Sequence, residues 1–339
     1  MTDVVITSNT LKIGGAERQR VMLANGLAAR GHSVTFVTLQ ADGPLADELD
    51  PRVQLTRQPA IPATPPRADV VISGVTNTEV AYAVRARGGR RAKRWVAAAH
   101  SSAPAGSRVY SRTLGLLLRR ADRVVALSGL HADVLGRHDA RAARIVVIPN
   151  GTTTPVVPPR PTVNGPLRIG YIGRLAAPKG LDILLEALAD VDATTWSLDV
   201  WGDGELGVDW RALAARRLAA AHVRWHGWTG NVADALDQVD VLAVPSRTEA
   251  QPLALLEAMA AGVPVLASDV GCIGEILDGG RLGGLVPPTV DGWSTAVRAA
   301  VADPHALLAR AVPAAESIRH RYSVDAMVSA YERLLEDLA

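Results

Sequence analysis

Short β-branched apolar runs alternate with helix-length amphipathic stretches along nearly the whole chain, and this alternation leaves few folds open. Residues 4–8, 34–39, 70–73, 95–99, 124–127 and 145–148 are such runs, and residues 17–30, 78–87, 108–120 and 130–137 read as the helices between them. The runs are too short for helices and apolar on both faces, the pattern of strands buried on both sides of a parallel sheet. The plan then starts again. Residues 167–172, 197–201, 223–226, 241–244 and 263–267 read as strands, with helices over 182–189, 210–220, 232–238 and 253–261. The sequence therefore predicts an α/β protein built from two doubly wound, mostly parallel sheets. A solenoid is excluded, because no short-period repeat is present.

A Pro-rich stretch over 155–166 separates the two plans and reads as a linker. The expected domains are residues 1–155 and 164–320, followed by a last segment, 321–339. With 339 residues, 48% of them hydrophobic, each half is long enough for its own core. The net charge is only +2, but residues 1–163 hold 22 Lys/Arg against 11 Asp/Glu while residues 164–339 hold 14 against 23. Such asymmetry suggests different partners for the two halves. No run of 18 apolar residues occurs, and the opening Met1-Thr-Asp-Val-Val-Ile-Thr lacks a secretory pattern. The single cysteine, Cys272, excludes an internal disulfide and fits a reducing cytoplasm, so a cytoplasmic location is expected.

Glu249 and Glu257 carry the most chemical information. They stand in Ser-Arg-Thr-Glu-Ala-Gln-Pro-Leu-Ala-Leu-Leu-Glu-Ala-Met-Ala-Ala-Gly-Val-Pro-Val-Leu-Ala-Ser, between two apolar runs read as parallel strands. Residues 253–261 are strong helix formers and end at Gly262, a natural C-cap. Glu249 is thus placed in the loop beyond a strand's carboxyl end, where open α/β sheets bind ligands. Glu257 falls about one turn inside the following helix.

This segment resembles the Glu-x7-Glu signature of retaining GT-B glycosyltransferases of sequence family four, the glycosyl transferases group 1. The resemblance covers nearly the whole chain and is most specific over residues 240–275 and 167–181. It implies two Rossmann-like domains facing a cleft, with a C-terminal helix crossing back to the first domain. Residues 323–338 carry Val324, Met327, Val328, Tyr331, Leu334 and Leu335 on a helical period and are the candidate for that helix; packing on the second domain is the alternative. In the family the first Glu approaches the donor sugar and the second bonds the ribose hydroxyls. Carried over, these roles fall to Glu249 and Glu257, with Ala250, Gln251, Leu253 and Ala254 lining the same donor site.

Two further loops fit. Lys12-Ile-Gly-Gly-Ala-Glu-Arg18 follows the first strand and opens a helix, where glycines admit a ligand close to the backbone and N–H groups favour an anion. A tight βα turn with no ligand is the alternative reading; the resemblance places Gly14 and Gly15 against the donor phosphates. Gly173-Arg-Leu-Ala-Ala-Pro-Lys-Gly180 opens the second plan, and its two cations suit phosphate oxygens. By resemblance Arg174 and Lys179 hold the pyrophosphate in place of a metal, so no metal and no cofactor beyond the nucleotide sugar is expected. The triplet Asp190-Val-Asp192 reads as a solvated turn rather than a metal site. His100 ends a strand of the first half; it is a structural histidine or, by resemblance, a group near the donor sugar. Gly202, His226 and Gly227 end strands of the second half in loops that flank the nucleobase in the family, largely through backbone atoms.

Departures from the family pattern occur at Ala250 and Gln251, after the first Glu, and at Asp269-Val-Gly-Cys-Ile-Gly-Glu275. Cys272 reads as a packing residue. Residues 85–94 are densely basic, and Arg108, Arg112, Arg119, Arg120 and Arg123 mark a basic amphipathic stretch. A solvated surface helix is the favoured reading, with peripheral contact to an anionic membrane and an anionic acceptor as the alternatives. Nucleic acid is excluded, since no aromatic platform interleaves the basic residues. The expectation is a retaining, metal-independent hexosyltransferase moving sugar from a nucleotide-diphosphate sugar, a UDP-sugar by preference, to a hydroxyl of a small-molecule, glycan or glycolipid acceptor. Its catalytic residues would be Glu249, His100, Arg174 and Lys179. A nucleotide-sugar epimerase and a non-catalytic nucleotide-sugar binding protein are the alternatives.

Overall fold

The computed structural model describes the chain except residues 59–64, 100–117, 139–143, 154–162, 164 and 219–221. Two compact units result: Met1–Gly151 together with Ser323–Ala339, and Thr152–Tyr322.

The first unit contains β1 (Asp3–Thr10), α1 (Gly15–Ala29), β2 (Ser33–Ala41), β3 (Gln54–Arg57), β4 (Ala68–Ser73), α2 (Asn77–Gly88), β5 (Ala92–Ala98), β6 (Arg123–Ala126), α3 (Gly129–His138) and β7 (Ile145–Val147). Its strands form one parallel sheet in the order β3-β2-β1-β4-β5-β6-β7. Valines and isoleucines of β1 and β4 are almost wholly buried, as expected of central strands covered on both faces. The edge strand β3 was not anticipated, because Gln-Leu-Thr-Arg offers no apolar run. The helix expected over 108–120 falls almost entirely outside the described residues.

The C-terminal helix, Val324–Leu338, packs in this unit. Met327, Val328, Tyr331, Leu334, Leu335 and Leu338 join a core that includes Val21, Leu23 and Leu27 of α1. Each such side chain stabilises by roughly 1.5–3 kcal/mol when fully buried. Close approach is possible because α1 carries Gly26 there: a Cβ at that position would collide with both methyl groups of Val328. Polar ties border the contact. Arg30 donates to Glu332 at 2.8 Å and to Ser329 Oγ at 2.8 Å, and also reaches Asp325. His32 Nε2 lies 3.3 Å from Glu332 Oε1, which makes His32 structural.

The second unit contains β8 (Leu167–Ile172), α4 (Leu181–Leu188), β9 (Trp196–Trp201), α5 (Gly207–Arg217), β10 (Val223–Gly227), α6 (Val232–Leu236), β11 (Val241–Val244), α7 (Leu253–Ala260), β12 (Val265–Ser268), α8 (Ile273–Ile276), β13 (Gly284–Val286), α9 (Val290–Ala302) and α10 (Pro304–Arg321). All strand pairs are parallel, in the order β10-β9-β8-β11-β12-β13. One face packs on α4, α5 and α9 through Leu184, Trp210 and Trp293, and the other on α7 and α10 through Met259 and Ile318. The short strand β13 and helices α8 to α10 are additions to the expected plan. Asp190-Val-Asp192 follows α4, and Asp192 caps a turn by accepting from Thr194 N at 2.9 Å, which is the solvated turn expected.

Two outcomes test this packing. Gly26→Ala adds a methyl where the stiff Val328 cannot yield, so a loss of about 1–3 kcal/mol is expected in chemical denaturation, partly recovered by adding Val328→Ala. Hydrogen bonds from Arg30 and then His32 hold the Glu332 carboxyl below its usual value of 4.5. A depressed carboxyl stabilises the fold above its unfolded pKa and loses that contribution as pH falls through the folded value. Glu332→Gln should therefore lower the melting temperature near neutral pH and converge with the parent in acid below pH 4.5.

Candidate active site

In the second sheet the chain runs from β8 outward to β9 and β10, then returns to place β11 on the other side of β8. The loops leaving the carboxyl ends of β8 and β11 therefore diverge around a crevice, the usual ligand position in an open α/β sheet. The two motifs singled out in the sequence occupy these two loops.

After β8, Tyr171 OH donates to the carbonyl of Arg174 at 2.9 Å and steadies the start of the loop. The Arg174 guanidinium is exposed and makes no ion pair among the described residues. A single 3-10 turn, Ala177–Lys179, then presents Lys179. Gly180 ends the turn with φ +63°, and its Cα lies so near the Pro245 carbonyl that a Cβ would clash. Only glycine satisfies both the left-handed backbone and this approach.

After β11, Ser246 and Glu249 turn inward. Glu249 Oε1 accepts from Lys179 Nζ at 2.6 Å and from Ser246 Oγ at 2.6 Å. The Glu249 side chain is only 7% exposed and that of Lys179 is 31% exposed, so the acid is the more shielded of the pair. Burial, followed by the nearby charge of Glu249, raises the pKa of the Tyr171 phenol. Cys272 Sγ donates to the Ala250 carbonyl at 2.7 Å, and burial pushes its thiol up to about 12. The cysteine is thus a neutral packing and bonding group that supports the loop, not a nucleophile.

Beyond Ala250, Gln251 is buried and Pro252 starts α7 without supplying a side-chain cap. The N–H groups of the first turn, at Leu253 and Ala254, carry the partial positive charge of a helix start. Glu257 is half-buried one turn further on, on the same helix. Lys179, Arg174, Glu249 and Glu257 thus belong to two neighbouring loops and one helix of a single unit.

The loops after β8, β9 and β10 are strung together by backbone bonds. Gly173 N donates to Trp201 O at 3.0 Å, Leu175 N to Asp203 O at 2.9 Å and Gly202 N to Gly227 O at 2.7 Å. The Gly202 amide is therefore occupied in the fold. His226 projects from the edge strand, donates through Nε2 to Asp199 Oδ1 at 2.7 Å and stacks on Trp201 with centroids 4.5 Å apart. Arg224 grips Asp199 with two bonds of 2.8 and 2.7 Å. Burial of Asp199 opposes ionisation, but the donors on Arg224 and His226 outweigh it and hold the carboxyl below its usual range. The imidazole of His226 is engaged in this network, which leaves its backbone for any ligand.

In the first unit Gly14 caps α1 and Gly15 opens it, with no side chain capping the helix start. Residues that the sequence did not flag lie at the carboxyl ends of β1 and β4, where the strand order of this sheet reverses. Arg20 of α1 donates to Ser8 Oγ at 3.0 Å and pairs with Glu79 at 3.2 Å, and Glu79 closes the capping box of α2 with Thr76. Glu79 is fully buried, so this pair fixes α2 to the helix that Gly15 begins. His100 lies outside the described residues, as do Arg108 and Arg112. Part of the basic run 85–94 is engaged within its own unit: Arg87 and Arg94 face Asp122, Lys93 pairs with Asp69 at 2.7 Å, and Arg91 donates to Pro65 O at 2.9 Å. No helix among the described residues is long and apolar enough to cross a membrane.

Comparison with known proteins bears on the family and the fold. Residues 166–303 match the family described as glycosyl transferases group 1, and residues 13–154 match glycosyltransferase family 4. A D-inositol 3-phosphate glycosyltransferase of Gordonia bronchialis is 30% identical over 247 residues, covering 65% of this chain and 54% of that protein. A phosphatidyl-myo-inositol mannosyltransferase of Mycobacterium leprae is 29% identical over 214 residues, covering 59% of this chain and 56% of that protein. The chain spans about half the length of these curated relatives. Among solved structures, Anabaena HepE in complex with UDP-glucose superposes with a TM-score of 0.86 at 21% identity, over 99% of this chain and 100% of that one. Sucrose-phosphate synthase from Thermosynechococcus elongatus gives 0.84 at 21% identity, over 100% and 99%. These structural likenesses establish the fold, and the two matched families account for both sheets. The chain belongs to the GT-B glycosyltransferases of family 4, the glycosyl transferases group 1.

Proposed function

We propose that this protein is a retaining, metal-independent hexosyltransferase that moves a sugar from a nucleotide-diphosphate sugar, UDP-linked by preference, to an acceptor hydroxyl. The observation that carries the reading is the Lys179–Glu249 pair at the β8/β11 switch point, with the exposed Arg174 on the same loop. Anabaena HepE, solved with UDP-glucose, and the curated glycosyltransferase relatives support the donor class. The acceptor is a hydroxyl on a small molecule, a glycan or a glycolipid; two relatives are named for inositol-containing compounds.

Glycosyl transfer breaks the bond between the anomeric carbon and the diphosphate oxygen. Negative charge grows on the departing diphosphate, and fixed positive groups aimed at it lower the barrier most. Lys179, Arg174 and the N–H groups at the start of α7 have that role. An arriving diphosphate competes for the Lys179 ammonium and draws it from Glu249. Ser246 then retains the Glu249 carboxylate, which accepts a hydroxyl of the donor sugar. Glu257 takes the ribose hydroxyls. The acceptor oxygen bonds the anomeric carbon on the face the diphosphate leaves, and its proton passes to the leaving phosphate oxygen, which preserves configuration.

Incubation with a panel of nucleotide sugars should give transfer or slow hydrolysis that persists in excess EDTA. Lys179→Ala should lower kcat by about 10²–10³-fold with an unchanged circular-dichroism spectrum. Tight binding without turnover would identify a binding protein, interconversion of the sugar an epimerase, and loss of turnover in EDTA a metal-dependent enzyme; each would overturn the corresponding part of the proposal.

A further inference from the structure

In the loop after β11, Ser246 and Glu249 are buried, while Arg247 and Thr248 are exposed and Arg247 wraps the turn that presents Lys179. We propose that Arg247 and Asp182 form a positioning clasp that sets the Lys179–Glu249 geometry before the donor arrives. This rests on the donor site proposed above.

Arg247 makes every contact needed for a clasp. Its backbone N–H donates to Pro178 O at 2.8 Å. Its Nη1 donates to Ala177 O at 3.0 Å and to Asp182 Oδ1 at 2.8 Å, and its Nη2 donates to Asp182 Oδ2 at 2.6 Å. Pro178 and Ala177 are the two residues before Lys179, and Asp182 lies in the first turn of α4 just after Gly180. The outer side of the turn is therefore held at its backbone and at the helix that follows. On the inner side Lys179 bonds Glu249, two residues beyond Arg247. The result is a closed ring running from Lys179 through Glu249, Arg247 and Asp182 back to Lys179.

Stability does not account for this arrangement. The Arg247 and Asp182 side chains are 43% and 32% exposed, and exposed ion pairs contribute little to folding. Geometry does account for it. A guanidinium can grip a carboxylate with two parallel bonds and a carbonyl with a third, whereas a lysine offers a compact charge without that fork. A three-residue 3-10 turn has little hydrogen bonding of its own. Without the clasp the Lys179 ammonium would sample several positions relative to Glu249, and a misplacement of about 1 Å in such a site costs roughly 10²-fold in rate.

The test compares the parent with Arg247→Met, Arg247→Lys, Asp182→Asn, the single changes Arg247→Asp and Asp182→Arg, and the exchanged pair Arg247→Asp/Asp182→Arg. The readouts are amide hydrogen exchange over residues 173–181 and 245–251, steady-state kinetics with a UDP-sugar, UDP affinity, and melting temperature. For Arg247→Met the expected result is exchange at least about tenfold faster in both loops and kcat lowered more than tenfold, with a melting temperature within a few degrees of the parent. Arg247→Lys should recover only part, and the exchanged pair should recover more than either of its single changes. Unchanged loop exchange together with kcat within twofold of the parent in Arg247→Met would overturn the clasp. So would a fall in melting temperature with no kinetic effect. If the parent binds no nucleoside diphosphate, the donor-site reading fails by itself, and hydrogen exchange still decides whether Arg247 holds the two loops.

Discussion

Lys179 and Glu249 are 70 residues apart and meet at 2.6 Å because β11 returns to the side of β8 that β9 left open. A doubly wound sheet that grew in one direction would keep their loops apart. Everything assigned to the donor follows from that reversal. It brings a cation from one loop beside an acid from the next. It also points the start of α7 at the same crevice and carries Glu257 one turn along that helix. A carboxylate this shielded needs partners, and Lys179 with Ser246 supplies them. On the proposed reading, an arriving diphosphate would exchange one anionic partner of Lys179 for another instead of desolvating a lone ammonium.

The first unit repeats the same logic with different chemistry. Its sheet reverses between β1 and β4, and there the buried Arg20–Glu79 pair joins α1 to α2. A buried ion pair is weak evidence for stability but fixes geometry where it is fully bonded. Ser8 and Thr76 satisfy the remaining groups. The C-terminal helix completes this unit's core across Gly26, so the last residues of the chain pack beside some of the first.

Strands with continuous β-branched runs, and helices with a clear apolar face, were legible in the sequence. β3 was not, because a half-polar edge strand lacks that signal, and β13 was not, because Gly-Leu-Val is too short to register. At the site, Arg174, Lys179, Glu249 and Glu257 were legible through the spacing and context of their motifs. Ser246, Arg247 and Asp182 were not. Arg247 pairs with Asp182 and Ala177 across 65 to 70 residues of chain, Ser246 bonds Glu249 only three residues on, and a single serine or surface charge reads by default as solvated. His226 was assigned to the nucleobase loops by resemblance, largely through backbone atoms; the structure engages its ring with Asp199 and Trp201. The basic run 85–94 read as solvated surface with an anionic partner as the alternative, and four of its cations meet aspartates or a carbonyl of their own unit.

The most direct measurement is a crystal structure of this protein with UDP. The account predicts the diphosphate seated between the β8 and β11 loops, with Lys179 Nζ and the Arg174 guanidinium on its oxygens and the ribose hydroxyls on Glu257. Nucleotide bound at another site, with Lys179 still paired to Glu249, would contradict it.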